Sequence, residues 1–538
     1  MTGDHSDTDR DHKGPDMPSH TSLHQVFRAA AARDPGKVAL IEGATELTYA
    51  DLAERVLALA GRLRGIGVRR GDRVVVCAGN RVESVVGFWA ALAAGGVSVV
   101  ISHEQSTAKI RYVIEDCQAS AVLALESVLA GLSLPECVRG VIPVGAGDTV
   151  FAADSADATD PDPLPVPVIS EDLAALVYTS GSTGGAKGVM LSHANMLAAL
   201  DSLNEYLCNS SEDVFLCVLP LAFDYGLYQM IMAFSQGATL VLERDMNLPL
   251  RVIKDIAKHR CTVIPGVPVF FELVDKFSRF GMPDVSSVRC LTNTGAALLP
   301  AHIASIRKLF PGAAIYSMYG VTECKRCTYL PPHLIDAKPA SVGIAIPNTE
   351  IMVVGDDDQP CAPYQVGQLV VRGATVMRGY WNLPQETAKK IREHPVRGGR
   401  CLYTGDYGYL DEDGCFYFKG RMDEVVKVRG RKLIPRDVED VLRTVPGVRE
   451  ASVVCTQLDD GDFDIAAFVE AGPVEPPAVD AAVLRAACRA ALETYQLPSR
   501  YEVLAKLPRN GNGKIDKLEL GRTHPWPGKQ SAALAASR

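Results

Sequence analysis

A strand-like run that leads straight into a stretch of glycines and small hydroxyl residues, and then into a helix, constrains this chain more than any other feature. Residues 176–192 read LVYTSGSTGGAKGVMLS. Residues 174–178 are apolar and strand-like. Thr179, Ser180, Gly181, Ser182, Thr183, Gly184, Gly185, Ala186, Lys187 and Gly188 follow, and a helical pattern opens at His193. Backbone N–H groups and hydroxyls in such a loop can wrap phosphate oxygens, and a lysine adds a point charge for the same anion. The Walker pattern needs Ser or Thr after its Gly-Lys pair. Here Gly188 follows Lys187, so this is a phosphate loop of another kind.

The surroundings fit an α/β chain. Residues 22–34 and 49–66 have helical periodicity, with Thr48 as N-cap and Asp51 three residues on. Residues 73–78, 97–101 and 121–124 are short apolar strands, and strands alternating with helices imply a largely parallel sheet covered on both faces. The alternation resumes through residues 214–219, 239–242 and 262–265. From 343 to 418, short runs at 350–354, 368–372 and 415–419 are spaced by Asp, Gly and Pro, as in a β-rich unit. After Gly420, residues 438–445, 451–457, 465–469 and 482–493 suggest a small α+β module. The expected organisation is a disordered arm over 1–18, a body of doubly wound mixed sheets with a β-rich subdomain over 19–419, a mobile lid over 420–523 and a tail over 524–538.

With 55 Lys and Arg against 64 Asp and Glu, the net charge of −9 argues against nucleic acid as a partner. The uncharged run 84–102 approaches membrane-spanning length. Gly95 and Gly96 break it where a helix would end, so it reads as helix, turn and buried strand. The first 18 residues have no apolar core for a signal peptide. The 14 cysteines show no dense spacing, which implies reduced thiols and a cytoplasmic protein. Cys324 and Cys327, with His333 nearby, have C-x-x-C spacing but no second pair to complete a metal site.

Four further segments carry chemistry. Residues 316–324, YSMYGVTEC, present an aromatic ring, a hydroxyl and a carboxylate around a glycine: a stacking surface, a phosphate donor and a metal ligand. Residues 403–406, YTGD, offer a carboxylate on a tight turn, suited to two neighbouring hydroxyls. Residues 420–439, GRMDEVVKVRGRKLIPRDVE, form a basic stretch after the β-rich unit. Residues 507–517, LPRNGNGKIDK, place a lysine on a flexible glycine loop, roughly 90 residues beyond that stretch, as a closing lid would.

The glycine loop and these segments, in this order from about Thr21 to Leu520, resemble the adenylate-forming enzymes: acyl-CoA synthetases, luciferases and nonribosomal-peptide adenylation domains. Two positions depart. Ala186 stands where proline is usual, and Thr294 in LTNTGAALLP (residues 291–300) replaces a usual glycine. The resemblance implies ATP and Mg2+ as cofactors. It implies that the glycine loop holds the β- and γ-phosphates, that Gly295, Ala296 and Ala297 let backbone approach adenine, and that Tyr319 stacks on the base. Thr322 would contact the α-phosphate and Glu323 would hold the metal. Asp406 would accept both ribose hydroxyls, and Arg421 would contact ribose and phosphate. Asp423 would be the hinge, Lys427 would be a further cofactor-binding residue, Gly430 matches a position near the thiol tunnel, and Lys514 would be the catalytic lysine. A carboxylate would attack the α-phosphorus to give an acyl-adenylate and pyrophosphate. Rotation about Asp423 would then withdraw Lys514 and admit an acceptor.

The acyl side is less determined. Residues 219–230, LPLAFDYGLYQM, resemble the segment that borders the acyl site, with Phe223, Asp224 and Tyr225 in the pocket. Asp224 either holds a substrate amino group or caps a turn. Lys325 and Arg326, where relatives carry small or polar residues, either bind an anionic substrate or pair with Asp or Glu. The acid is thus an aryl, acyl or amino acid. The acceptor is CoA, a phosphopantetheinyl carrier expected to be a separate protein, or an amine. Two alternatives stand beside this reading: nitrite activation for diazotising an aryl amine, and a non-catalytic nucleotide-binding relative. Retention of Glu323, Asp406, Arg421 and Lys514 counts against the latter.

Overall fold

A computed structural model describes residues 20–145, 167–180, 185–245, 248–458, 462–472, 479–509 and 515–525. The N-terminal arm, part of the proline-rich stretch, Gly181–Gly184 of the glycine loop, and Lys514 lie outside these residues. The chain is mixed α/β, with a large N-terminal body of three sheets and a smaller C-terminal domain.

One sheet has seven strands, in the order Gly379–Tyr380, Ala186–Ser192, Leu173–Ser180, Val97–Val100, Arg73–Cys77, Ala119–Leu125, Gly140–Val144. The second has nine: Ile344–Ala345, Thr328–Leu330, Ala314–Tyr319, Cys290–Asn293, Val263–Gly266, Val214–Cys217, Thr239–Leu242, Val38–Glu42, Thr45–Thr48. Its central strands are parallel. They are short, apolar and buried, as strands covered on both faces must be. The membrane-length run is the helix Val82–Ala93 followed by a turn and the strand Val97–Val100. All ten residues from Ser84 to Ala93 are buried, which explains why the run carries no charge. Trp89 on this helix stacks on Phe27 (5.0 Å, 21°) and lies 6.2 Å from Phe234, joining three helices in one core. Among the described residues no helix is long and apolar enough to cross a membrane.

Thr48 and Asp51 form the reciprocal cap the sequence predicts at the helix Tyr49–Gly65. Two readings are corrected. Thr179, Ser180 and residues 186–188, read as loop, lie in two antiparallel strands, Leu173–Ser180 and Ala186–Ser192. The small residues that signal a phosphate loop also tolerate a strand, and the alternating Val189 and Leu191 face the core. Asp406 is not on a tight turn: it lies inside the strand Arg400–Leu410, with Gly405 at φ +81° providing the local bend. This strand belongs to an antiparallel sheet that also contains Thr349–Val354, Gly367–Gly373, Ile391–Glu393 and Phe416–Arg421.

The C-terminal domain has its own core. Val438 and Leu442 of the helix Pro435–Arg443 pack with Val453, Ala467 and Val469 of a three-stranded sheet and with Leu484 of the helix Ala481–Ala491. It is joined through the hairpin Val426–Val428/Arg431–Leu433, whose turn residues Arg429 (φ +50°) and Gly430 (φ +77°) are both left-handed. Ion pairs from Arg449 to Glu272 and from Lys432 to Asp356 tie the domain to the body.

Candidate active site

Parallel strands place ligands beyond their carboxyl ends, and contacts among Tyr319, Asp406 and Arg421, and among Glu323, Tyr380 and Lys187, bring four of the segments together there. Tyr319 ends the strand Ala314–Tyr319, and residues 320–327 then fold back on it. The Cys327 N–H donates to Tyr319 O (2.9 Å) and the Cys324 N–H to Val321 O (3.0 Å). A Cβ on Gly320 would lie 2.4 Å from Lys325 O, so only glycine permits this fold. Gly320→Ala is therefore expected to displace Glu323 and to lower stability by about 1–3 kcal/mol, the usual cost of overpacking. A thermal melt read beside pyrophosphate exchange checks both effects.

Asp406 is 2% exposed. Tyr319 Oη donates to its Oδ2, and Arg421 Nη1 lies 3.3 Å from its Oδ1, an ion pair without hydrogen-bond geometry. The sheet register sets this up, because Asp406 sits directly opposite Arg421 on the neighbouring strand. Burial raises the Asp406 carboxyl above the ordinary carboxylate range, with Arg421 and Tyr319 opposing. The Tyr319 ring is flanked by Phe418 (5.8 Å, 29°) and Phe416 (5.7 Å). Arg421 also reaches Asp423 (3.4 Å), which is exposed on the turn Met422–Glu424.

Glu323 accepts a hydrogen bond from Tyr380 Oη at 2.6 Å. Its second carboxylate oxygen suits Mg2+, which is usually bound through one or two carboxylates plus substrate phosphates. Half-buried Thr322 precedes it. Lys187 pairs with Thr179 in the hairpin register, and its Nζ lies 2.8 Å from Glu386 and 5.5 Å from the Tyr380 ring. Hydrogen bonds from Lys187 and then Lys389 hold Glu386 down at about 2. Sequence reasoning missed this segment. Tyr380, Glu386 and Lys390 sit in GYWNLPQETAKK, where an aromatic pair ahead of Pro-Gln-Glu was the available signal. Lys390 donates to Thr404 O (2.8 Å), and a Cβ on Gly405 would lie 2.5 Å from its Nζ. Burial and then Arg421 lower the Lys390 ammonium, while Glu323 and Asp406 oppose.

Gly295 (φ +83°), Ala296 and Ala297 are exposed just beyond the strand Cys290–Asn293, and Asn293 Nδ2 donates to Ala296 O (2.8 Å). Thr294 is buried. Lys427 is exposed on the lid hairpin. On the acyl side, Phe223 is exposed, and Tyr225 Oη bonds Thr292 while accepting from the Gly266 N–H. Asp224 is paired with Arg326 at 3.4 Å, and Lys325 is buried beside them. The Cys324 and Cys327 sulfurs lie 2.9 Å apart, and among the described residues no group of three or more candidate ligands could hold a metal.

Residues 27–381 match the family model of the AMP-binding enzyme, and residues 437–514 that of the AMP-binding enzyme C-terminal domain. This chain belongs to the AMP-binding enzyme family. The feruloyl-CoA synthase of an Amycolatopsis species is 30% identical over 91% of the chain and 97% of its own length. Tyrocidine synthase 2 of Brevibacillus parabrevis is 30% identical over 96% of the chain, which spans only 14% of that relative. ATP-bound MatB from Rhodopseudomonas palustris superposes with TM-score 0.83 at 26% identity, covering 93% of this chain and 99% of that one. AMP-binding relatives therefore include both an acid–CoA ligase of matching length and a far longer tyrocidine synthase.

Proposed function

We propose that this AMP-binding enzyme is an ATP-dependent acid ligase with two half-reactions. A substrate carboxylate oxygen attacks the α-phosphorus of ATP, the bond to the β-phosphate bridge oxygen breaks, and pyrophosphate leaves. The acyl-adenylate then passes its acyl group to a thiol, releasing AMP. The observation that supports this best is the Tyr319–Asp406–Arg421 cluster, set one loop away from Glu323. On this reading Asp406 accepts from the ribose hydroxyls and the Tyr319 ring stacks on the base. Arg421 balances the charge of the Asp406 carboxylate and of the phosphate. Mg2+ on Glu323 would neutralise charge on the departing phosphates. Positioning and charge neutralisation do most of the work in such transfers.

Asp423, exposed between body and lid, is the proposed pivot, and Lys514 the lysine that one lid position supplies and the other withdraws. CoA is supported as the acceptor by the full-length match to feruloyl-CoA synthase. A phosphopantetheinyl carrier protein is supported by the match to tyrocidine synthase 2. ATP–pyrophosphate exchange across an acid panel, repeated with CoA and with nitrite, tests the reading. Exchange with one acid, and AMP release on adding CoA, are expected. Normal exchange by Lys514→Ala would remove that lysine from the chemistry, and release of AMP on nitrite alone would turn the reading toward diazotisation.

A further inference from the structure

Two buried cations and one carboxylate lie close together, the cations immediately after the loop that carries Glu323. Lys325 is 1% exposed, the Arg326 side chain 5% and the Asp224 side chain 17%, and Phe223 beside Asp224 is exposed. Arg326 Nη1 donates to Lys325 O (2.8 Å) and approaches Asp224 Oδ2 (3.4 Å), while its Nε is buried without a partner among the described residues. Lys325 Nζ likewise has no hydrogen-bond partner among them. The Tyr228 ring lies 5.4 Å from Lys325 Nζ, as the Tyr225 ring lies 4.8 Å from the Arg326 guanidinium. Ring quadrupoles soften a buried cation but do not replace three lost hydrogen bonds to water.

A buried cation without a hydrogen-bond partner is costly as it stands. An anionic group beside the two cations would supply the acceptors that Lys325 Nζ and Arg326 Nε lack among the described residues. An amino group would meet two cations and a carboxylate already engaged by Arg326. That removes the reason to read Asp224 as the holder of a substrate amino group.

We infer that the acid activated here carries a second anionic group, and that Lys325 and Arg326 bind it beside Tyr225 and Tyr228. The inference rests on the adenylation reading above for the fate of the first carboxylate. Left-handed Lys325 (φ +67°) is held by the folded-back loop, so the same backbone that aims Glu323 at the nucleotide aims Lys325 away from it, toward Tyr228.

The test compares wild type with Lys325→Met and Lys325→Arg, using dicarboxylates graded in length, matched monocarboxylates and amino acids. Met matches the lysine in length without its charge, so folding is preserved and a thermal melt confirms it. A dicarboxylate is expected to support pyrophosphate exchange with KM about 10–100-fold below its matched monocarboxylate, the worth of a hydrogen bond to a charged group. Lys325→Met should erase that preference and leave KM for ATP unchanged, and Lys325→Arg should restore part of it. A monocarboxylate or amino acid as the preferred substrate, indifferent to Lys325→Met, would overturn the inference. So would AMP release on free nitrite alone, which would make the anion a separate small oxyanion. If no acid supports exchange, the adenylation reading falls, and calorimetric titration of the same dicarboxylates into wild type and Lys325→Met decides the anion site independently: Lys325-dependent binding supports it and no binding overturns it.

Discussion

Asp406→Asn is expected to lower kcat/KM for ATP in acid-dependent pyrophosphate exchange by roughly 30- to 3,000-fold. Hydrogen bonds to a charged group are worth about 1.5–3 kcal/mol each; losing the carboxylate toward two ribose hydroxyls, with asparagine keeping part, costs about 2–5 kcal/mol, and each 1.4 kcal/mol is a factor of ten. Asparagine keeps the volume and can still accept from Tyr319 Oη, but it cannot accept from two ribose hydroxyls and balance Arg421 as well. Stability should move little or upward. Burial raises the folded Asp406 carboxyl above its unfolded value, with Arg421 and Tyr319 opposing, so its charged form costs stability above the unfolded pKa. An uncharged side chain removes that cost at neutral pH. A lost melting temperature would mean that the cluster is structural; lost exchange with an intact melt assigns Asp406 to the nucleotide. The same raised pKa predicts that wild-type exchange fails on the acid side at a higher pH than an ordinary carboxylate would give.

Much of this site is local in the sequence, and that part could be read directly. Tyr319, Thr322 and Glu323 fall within five residues, and the glycine loop around Lys187 announces itself by composition. Other parts depend on pairing register, which a sequence does not display. Asp406 meets Arg421 only because their strands align them, and Tyr319 reaches Asp406 across 87 positions of chain. Glu386 and Lys390 were missed because their partners, Lys187 and Thr404, are on other elements. The Lys325–Arg326 pair was visible as two cations, but its meaning rests on burial. On the surface they would be a solvated pair; inside, Lys325 has no hydrogen-bond partner among the described residues.

The reverse end of the same parallel strands carries a stability device. Asp213, Thr262 and Arg289 each precede one of three adjacent strands, at the end away from Tyr319. Asp213 is 3% exposed and takes five hydrogen bonds: from Arg289 Nε and Nη2 (both 2.7 Å), from Thr262 Oγ1 (2.7 Å), and from the Ser210 N–H (2.8 Å) and Oγ (3.3 Å). Burial would raise its pKa, but the Arg289, Thr262 and Ser210 bonds together outweigh it and hold the carboxyl below the ordinary value. A depressed carboxylate stabilises the fold above its unfolded pKa, and that stabilisation is lost as pH falls through the folded value. Asp213→Ala leaves these donors facing a void. Breaking a buried pair costs about 3–5 kcal/mol, and the lower end applies because Arg289 keeps partial access to water and its bond to Leu207 O. The denaturation midpoint should therefore fall by an amount equivalent to ~3 kcal/mol at neutral pH. The deficit relative to wild type should shrink below about pH 4, where the unfolded carboxyl of wild type also takes up its proton. KM for ATP and for the acid should stay unchanged, since the site lies at the opposite strand ends. A change in either KM without a change in midpoint would place Asp213 in the catalytic machinery instead.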